Sequence, residues 1–576
     1  MESAPKAMAL ISSQDTLTLA CRRDRMSVLP ESVIFRIFSF LRPNESAILS
    51  LVSRRFRQLC INSPYLYFCA NFDSKGCLRR YTQFCYYVDK MMRTRDRLGI
   101  EIDKFLIHWF CKQPRYNIGG TIVDAWVKIA TKCNVGELDI LVNLDEWLGW
   151  GVYSLPECVF RCKSLRVLKL NLQMGKFYLV STENMDSVED LLLDSMIINE
   201  RNFGEKISGS WTSLRRLILE KVHLVVELNI TSSSLEELKM SNCEGGAYVD
   251  WHFSVSSSSL KNLCISRCHF KVPTLMNLRC PSLENFTLQG SDFDKLSTFK
   301  IASLSIENFR ICGSNFLKGC CFCISCPSVK HIKIGSSNFE DFCFIEINSS
   351  SLGDLTVSDC ELSRPQIPNF KLAPGKRIHI VAEKLQTLTI NSSDKHLYNL
   401  PLSISTPNIQ DIKWTGNPVD FSYLESFLSL VDATIYIKPS CQHKSKELAC
   451  RCKLVQSLIY CAAMLLQSLK YAKFLKINIW PIEMFFMQNN EPIYFNNLLC
   501  LLLTVDSLTD QTPLIASFLK GLPNLRTLII KCRPKSHVID EPNFISLLGL
   551  CPKTFNLSLS EEGVKIFRRN AQDVEG

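Results

Sequence analysis

Residues 283–293 read LENFTLQGSDF and residues 306–316 read IENFRICGSNF, so one pattern returns after 23 residues. In each copy apolar residues fill the first, fourth and sixth positions, and a phenylalanine fills the eleventh. Alternate residues of a strand face the same side, so the fourth and sixth positions predict a strand with one buried face. The eleventh position predicts a second buried column. Its members along the chain are Phe270, Phe293, Phe316, Phe339 and Leu362.

The six-residue core of this pattern recurs in both directions. Strong copies begin at Leu165, Val188, Leu214, Leu235, Leu260, Leu283, Ile306, Val329 and Leu352, and weaker copies at Ile102, Val135, Leu385, Ile409, Ala472, Leu498 and Leu525. Steps of 21 to 26 residues separate the strong copies, and leucine-rich repeats have periods of roughly 20–29 residues. We therefore predict an α/β fold whose main part is a solenoid. Its repeats would stack as a horseshoe with parallel strands on the concave face.

A different pattern occupies residues 24–62. Pro30 fits the first turn of a helix, where its missing N–H is not needed. An apolar stripe at i, i+3, i+4 and i+7 follows it, formed by Ile34, Ile37, Phe38 and Leu41. Two more short helices are predicted behind it. About forty residues lie near the lower limit for an independent core, so the surplus apolar surface predicts a docking face.

This segment resembles an F-box. The family pattern is carried here by Leu29-Pro30-Glu31, Ile34, Ile37-Phe38, Phe40-Leu41 and Val52-Ser53-Arg54-Arg55-Phe56-Arg57. Phe56 replaces the family's usual tryptophan, and Cys60 stands where plant members often have a second one. The resemblance implies a three-helix F-box that binds the Skp-family adaptor of a cullin–RING ubiquitin ligase. The alternative is a small helical bundle that only caps the repeats.

The resemblance assigns adaptor binding to nine residues, with Phe56 as an aromatic anchor. They are Leu29, Pro30, Ile34, Ile37, Phe38, Leu41, Leu51, Val52 and Phe56. A second likeness lies at residues 124–140, where a helix with Trp126 precedes a Val-x-x-Leu-x-Ile strand. This segment resembles the first repeat of plant F-box/leucine-rich-repeat proteins. The whole chain therefore resembles a plant-type protein of that family.

Five segments are predicted along the chain. They are a disordered N-terminus (1–23), the F-box (24–66), linker helices with degenerate first repeats (67–160), leucine-rich repeats (161–420) and degenerate C-terminal repeats with a cap (421–576). The step from Leu352 to Leu385 is about ten residues too long. The excess, residues 364–377, is rich in proline and basic residues and predicts an inserted loop.

Composition indicates a folded chain of the cytosol or nucleus. Hydrophobic residues make up 46% and charged residues 21%, which is ordinary for a folded domain. We expect neither a signal peptide nor a membrane span. An odd count of 27 cysteines without a signal peptide favours reduced thiols. Three of them, Cys243, Cys268 and Cys360, lie eight residues past the starts of their repeats, where a packing role is expected.

Catalytic and cofactor motifs are not evident, so we expect a protein that is not an enzyme and holds no cofactor or metal. The one candidate for zinc is the cluster of Cys320, Cys321, Cys323 and Cys326, whose spacing lacks a clean second pair. Repeat packing is the competing explanation for Cys326. A net charge of +10 raises the alternative of a nucleic-acid partner, but the basic residues are dispersed and no nucleic-acid motif accompanies them.

The strand positions that face outward carry a basic bias. Among the residues four past each repeat start, basic side chains recur and acidic ones are missing. We assign substrate binding to Lys239, Arg310, Lys333 and Lys413, which would receive an acidic or phosphorylated segment of a protein substrate. The alternative is an ordinary solvated face.

The sequence therefore predicts the substrate-receptor subunit of a cullin–RING ubiquitin ligase. The F-box would bind the Skp adaptor and, through it, the cullin, and the repeats would bind the substrate. The competing interpretation is a leucine-rich-repeat scaffold unconnected with ubiquitin. Neither version calls for a nucleic-acid or membrane partner.

Overall fold

The computed structural model describes most of the chain in separate stretches. They are residues 29–41, 43–72, 78–111, 119–142, 152–179, 185–200, 202–225, 227–246, 252–271, 274–294, 296–316, 321–339, 344–360, 377–391, 402–416, 421–424, 427–437, 453–487, 492–506, 508–532 and 554–559. The chain divides into two compact units, residues 1–197 and 198–576. No described helix combines the length and the apolar character that crossing a membrane requires.

The first unit begins with helices and continues with parallel strands. Its helices are α1 (Glu31–Phe38), α2 (Pro43–Val52), α3 (Arg54–Asn62), α4 (Leu78–Leu98), α5 (Gly119–Lys132) and α6 (Glu157–Phe160). Its strands are β1 (Tyr65–Phe72), β2 (Lys104–Cys111), β3 (Glu137–Val142), β4 (Val152–Ser154), β5 (Val167–Tyr178) and β6 (Asp190–Ile198). Strands β1, β2, β3 and β5 pair in parallel in that order. Helices α4 and α5 connect consecutive strands, as parallel pairing requires.

The second unit contains a long parallel sheet with one strand per repeat. Its strands are β7 (Arg216–Leu224), β9 (Glu237–Ser241), β12 (Asn262–Ser266), β15 (Asn285–Gln289), β18 (Asn308–Cys312), β21 (His331–Gly335), β24 (Asp354–Ser358), β26 (Thr387–Asn391), β28 (Asp411–Gly416), β30 (Asp432–Ile437), β31 (Phe474–Asn478), β32 (Cys500–Val505), β33 (Thr527–Cys532) and β34 (Thr554–Leu559). Each strand pairs in register with the next in this order. The fourth and sixth pattern positions are buried, as at Leu238 and Met240.

A second parallel sheet of nine strands accompanies the middle repeats. Its strands are β8 (Leu228–Ser232), β11 (His252–Ser257), β14 (Thr274–Arg279), β17 (Leu296–Ala302), β20 (Cys321–Ser325), β23 (Phe344–Asn348), β25 (Arg377–Val381), β27 (Leu402–Ser405) and β29 (Phe421–Leu424). Short strands between the two sheets are β10 (Glu244–Gly245), β13 (His269–Phe270), β16 (Asp292–Phe293), β19 (Asn315–Phe316) and β22 (Asn338–Phe339). Helices α7 (Phe203–Ser210), α8 (Lys453–Ser468), α9 (Ile479–Phe486) and α10 (Leu508–Leu519) complete the unit.

One hydrogen-bond arrangement repeats from turn to turn. The amides of Glu284 and Asn285 both donate to the Lys261 carbonyl, each at 2.9 Å, and the next turn repeats this one repeat later. After each long-sheet strand the backbone enters the left-handed region, at Gly290 with φ 56° and at Gly313 with φ 63°. Glycine adopts this conformation without steric cost. Each turn is therefore locked to its neighbours by the backbone itself.

Phenylalanine columns fill the interior of the middle repeats. Phe270, Phe293 and Phe316 are buried, and their rings stack with centroid separations of 5.1 and 5.2 Å. Offset stacking at this distance stabilises an aromatic pair by about 0.5–1.5 kcal/mol beyond burial. The predicted column is thus confirmed for these three members. The Phe339 side chain and Leu362 lie outside the described residues.

The buried cysteines belong to the same packing. Cys243, Cys268 and Cys360 are buried and form no disulfide, and the Cys268 thiol donates to the Ser266 carbonyl at 3.4 Å. Serines replace cysteine at this position in the three intervening turns, at Ser291, Ser314 and Ser337. A small polar side chain here reaches a backbone carbonyl inside the turn, which explains why thiol and hydroxyl alternate.

The predicted fold class is confirmed: an N-terminal helical block is followed in the chain by parallel-strand repeats. The second sheet was not predicted. The inserted loop at 364–377 lies almost entirely outside the described residues, although Arg377 is the first residue of β25. The loop does not interrupt the long sheet, because β24 pairs directly with β26.

Candidate functional site

The first candidate surface is the N-terminal helical block, α1 to α3. Its core consists of Ile34, Phe38, Phe56 and Leu59, and the rings of Phe38 and Phe56 lie 6.5 Å apart. Leu29 and Leu41 pack against this core from its edge.

The expectation of an unpartnered stripe is therefore wrong for Ile34, Phe38 and Phe56. They are 0%, 5% and 5% exposed, because the three short helices bury them against one another. As a fully enclosed ring, Phe56 is a core residue rather than a surface anchor. The role of the predicted set in adaptor binding stays a prediction, and these three residues would serve it by holding the helices together.

Two polar contacts join the ends of the family pattern. Ser53 is the N-cap of α3, and its Oγ accepts a hydrogen bond from the Phe56 amide at 3.1 Å. Arg55 Nη2 donates to the Leu29 carbonyl at 3.1 Å, across 26 residues of sequence. A serine N-cap typically stabilises a helix by about 1 kcal/mol. The Ser-Arg-Arg segment therefore positions the Leu-Pro segment as well as its own helix.

Apolar side chains remain exposed on the block, but they are only partly the predicted ones. Leu51 is 75% exposed and Val52 65%, as adaptor binding would require. Phe40 (74%) and Ile48 (62%) are exposed as well, and the sequence reasoning left both out of the site. Ile48, Leu51 and Val52 follow i, i+3, i+4 spacing on α2, so they share one helix face. That spacing was the signal that could have found Ile48.

A buried arginine joins the helical block to the first repeats. Arg95, on α4, is fully buried, and its Nη2 donates to the Cys60 carbonyl in the last turn of α3 at 3.5 Å. Within the described residues its Nε and Nη1 have no hydrogen-bond partner. Burial lowers the pKa of Arg95 to about 10. The cation lies at the carbonyl end of α3, where the helix dipole favours positive charge.

The second candidate surface is a row of strand side chains in the second unit, one per repeat. The register places Lys239, Cys264, Thr287, Arg310, Lys333, Thr356, Thr389, Lys413, Thr434 and Lys476 side by side on successive strands. We call the five cations among them the basic row: Lys239, Arg310, Lys333, Lys413 and Lys476. All five are exposed. Lys476 was not among the predicted residues, because its repeat belongs to the weaker copies.

The cations of the basic row are not neutralised within the protein. None of the five forms an ion pair in the described part of the chain, although Lys330 beside them pairs with Glu307 at 2.6 Å. The neighbouring row carries acids only near its ends, with Glu237 beside Lys239 and Asp411 beside Lys413. The predicted alignment of Arg310 and Lys333 as direct neighbours is confirmed by the register. Whether they bind a substrate stays a prediction.

Between those ends, the surroundings of Arg310 are amides rather than acids. Asn308 donates to Asn285 and Asn285 to Asn262, each at 2.8 Å, which forms a ladder beside the row. The nearest acid on this side, Asp354, lies 2.7 Å from His331 Nδ1. The middle of the basic row therefore combines two cations with neutral hydrogen-bonding groups.

Metal and cofactor sites find no support in the described residues. No group of three or more histidine, cysteine or acidic side chains there is arranged to hold a metal ion. Cys326 is buried at the turn that follows β20, which agrees with repeat packing. Cys320 lies outside the described residues.

Two family models match this chain. Residues 26–73 match the model described as F-box-like. Residues 123–251 match the model described as "FBD-associated F-box protein At5g56370, LRR repeats". The first match covers α1 to α3 and β1, and the second covers the start of the predicted repeats. The predicted resemblance to plant F-box/leucine-rich-repeat proteins is thereby confirmed.

Curated relatives in Arabidopsis thaliana carry the same two labels. The chain is 25% identical over 294 residues to "F-box protein At3g59150", covering 47% of this chain and 54% of the relative. It is 27% identical to "F-box/FBD/LRR-repeat protein At5g56420", covering 38% and 49%, and 26% identical to "F-box/LRR-repeat protein At3g58900", covering 42% and 64%. The chain thus spans about half to two thirds of the length of these relatives.

Proposed function

We propose that this protein is a substrate receptor of an SCF-type cullin–RING ubiquitin ligase. Its helical block would bind the Skp-family adaptor, its repeats would bind a protein substrate, and the complex would act in the cytoplasm or nucleus. The observation that carries the proposal is the exposed apolar face of α2 on a block that matches the F-box-like model. Exposed apolar patches on small folded blocks mark interaction sites.

The protein would contribute no catalytic group of its own. It would hold the substrate within reach of the ligase's catalytic module, which raises the effective concentration of the reacting groups. The polar ties from Ser53 and Arg55 support this role, because they hold the docking face rigid, and a rigid face loses less entropy on binding.

Adaptor capture tests the proposal directly. We expect the double substitution Leu51→Asp and Val52→Asp to abolish capture of a Skp-family adaptor and a cullin, since truncating a buried interface anchor alone costs roughly 2–4 kcal/mol. The matched control is Leu98→Asp, because Leu98 is also exposed (57%) but lies on α4. Undiminished capture by the double variant would remove α2 from the interface. Absence of adaptor and cullin from the wild-type capture would favour a scaffold unconnected with ubiquitin.

A further inference from the structure

The spacing of cations along the basic row specifies the ligand more closely than its charge does. Arg310 and Lys333 occupy adjacent strands. Lys239 lies three strands before Arg310, and Lys413 lies three strands after Lys333. Neighbouring strands are about 4.8 Å apart, so each outer lysine is about 14 Å from the central pair. The row is thus nearly symmetric about Arg310 and Lys333.

We infer that the basic row binds an extended phosphorylated segment of a protein, with the phosphoryl group at Arg310 and Lys333 and an acidic residue about four positions away on each side. This inference rests on the proposed function and specifies its substrate class. An extended chain advances about 3.3 Å per residue, so four residues span the 14 Å between the central pair and each outer lysine.

A phosphoryl group fits the central pair for three reasons. It carries close to two negative charges, which matches two adjacent cations. A guanidinium binds two phosphate oxygens at once. The neighbouring Asn308 amide and the Thr287 and Thr356 hydroxyls are uncharged groups that do not repel an anion.

The side chains between the cations favour a peptide over a nucleic acid. Cys264 and Thr287 separate Lys239 from Arg310, and Thr356 and Thr389 separate Lys333 from Lys413. Small residues leave room for the backbone of a crossing peptide. Single-stranded nucleic acid would call for aromatic side chains on which bases stack, and the row holds none between Lys239 and Lys476.

A synthetic peptide tests the inference with purified full-length protein. The probe is a fluorescent nine-residue peptide with phosphoserine at its centre, aspartate at both ends and glycine, alanine or serine between. We expect the double variant Arg310→Glu, Lys333→Glu to bind it roughly 100-fold more weakly, because each lost charge-assisted hydrogen bond costs about tenfold. Both side chains are exposed, so the melting temperature should hold. If the charge-reversed chain fails to fold, Arg310→Gln with Lys333→Gln replaces it and should still bind at least about tenfold more weakly.

The matched control is the double variant Lys261→Glu, Lys330→Glu. It changes the net charge equally, on nearby repeats, but each lysine already has a glutamate partner, Glu236 at 4.0 Å and Glu307 at 2.6 Å. We expect its affinity for the probe to stay within about twofold of wild type. Equal losses in both double variants would reduce the basic row to general electrostatics and overturn the inference.

Two further probes examine spacing and ligand class. A peptide of the same composition, with both aspartates next to the phosphoserine, should bind about tenfold more weakly, and equal binding would overturn the proposed spacing. A single-stranded oligonucleotide of equal charge should bind more weakly than the probe, and tighter binding through Arg310 and Lys333 would overturn the assignment to a protein segment. Adaptor capture by the row variant should be unchanged, which separates failure of this inference from failure of the proposed function.

Discussion

The strand faces of the two units carry similar side chains in opposite states of neutralisation. In the first unit Lys104 and Lys169 both contact Glu137 Oε1, at 3.0 and 2.7 Å, and His108 faces Asp139 at 3.7 Å. In the second unit the basic row presents five exposed cations, none of which has an ion pair among the described residues. The same repeat geometry therefore supports a closed charge network in one unit and an open one in the other.

The difference indicates which face is available to a ligand. A charge that already has a partner must lose it before binding, and this cost offsets the gain from the new contact. The first unit uses its charges to join β2, β3 and β5 to one another. The second unit joins its strands through backbone hydrogen bonds and phenylalanine columns, so its cations remain free for an external anion.

Removing a phenylalanine from the column should have the largest effect. We expect Phe293→Ala to lower the free energy of unfolding by about 3–5 kcal/mol, because it leaves a cavity between Phe270 and Phe316. Urea denaturation measures the loss. Leu304→Ala is the control, since Leu304 is 69% exposed and should change stability by less than about 0.5 kcal/mol. A small loss at Phe293 would mean that the column does not hold the face of the second unit in place.

Native thiol reactivity should separate the units next. Cys69 in β1 is exposed, whereas burial raises the pKa of Cys280, Cys326 and Cys360 to about 11. We expect iodoacetamide at neutral pH to modify Cys69 at least about 100-fold faster than these three, because the thiolate is the reactive form. Peptide mass spectrometry over time measures the rates. Under denaturing conditions nearly all 27 thiols should react without prior reduction, and extensive disulfide protection would contradict a reduced protein.

Opening the charge network of the first unit should make it resemble the second. We expect Glu137→Gln to reduce stability by about 0.5–1 kcal/mol, since Lys104 and Lys169 lose their shared partner. The same change should strengthen retention on heparin at low salt. The control is Glu157→Gln, which removes an equal charge in the same unit, at the start of α6. Unchanged heparin retention relative to this control would show that neutralisation does not distinguish the two faces.

The smallest effect concerns Asp411, which lies beside Lys413. Partial burial and the Asp432 carboxylate raise the pKa of Asp411. Because this pKa is higher in the folded state than in the unfolded state, ionisation of Asp411 opposes folding, and the penalty disappears as pH falls below the unfolded value. We expect Asp411→Asn to stabilise the protein by a few tenths of a kcal/mol at pH 7 and to strengthen binding of anionic peptides slightly. Thermal melts at pH 7 and pH 4 measure this, and a gain at pH 4 as large as at pH 7 would contradict it.

The repeat strands could be predicted because both buried positions of each strand are apolar and recur in fixed register. The second sheet could not, since its short strands such as Leu402–Ser405 mix serine with apolar residues and resemble loops. Exposure within the helical block also escaped prediction. Helical spacing predicts which residues share a stripe, but three short helices decide by their mutual packing that Phe38 is enclosed and Leu51 is not. The burial of Arg95 depends on a contact 35 residues away in sequence.

The uniform backbone linkage between turns has a consequence for how recognition evolves. The middle repeats, from Leu260 to Leu352, are 23 residues each and join through identical hydrogen bonds. Duplication or loss of one such unit would leave every junction intact and would shift part of the basic row by a single strand spacing. The distance between two ligand charges would therefore change in increments of about 4.8 Å, close to one and a half residues of extended peptide. A lineage that gains or loses whole turns would move between discrete substrate registers rather than along a continuum.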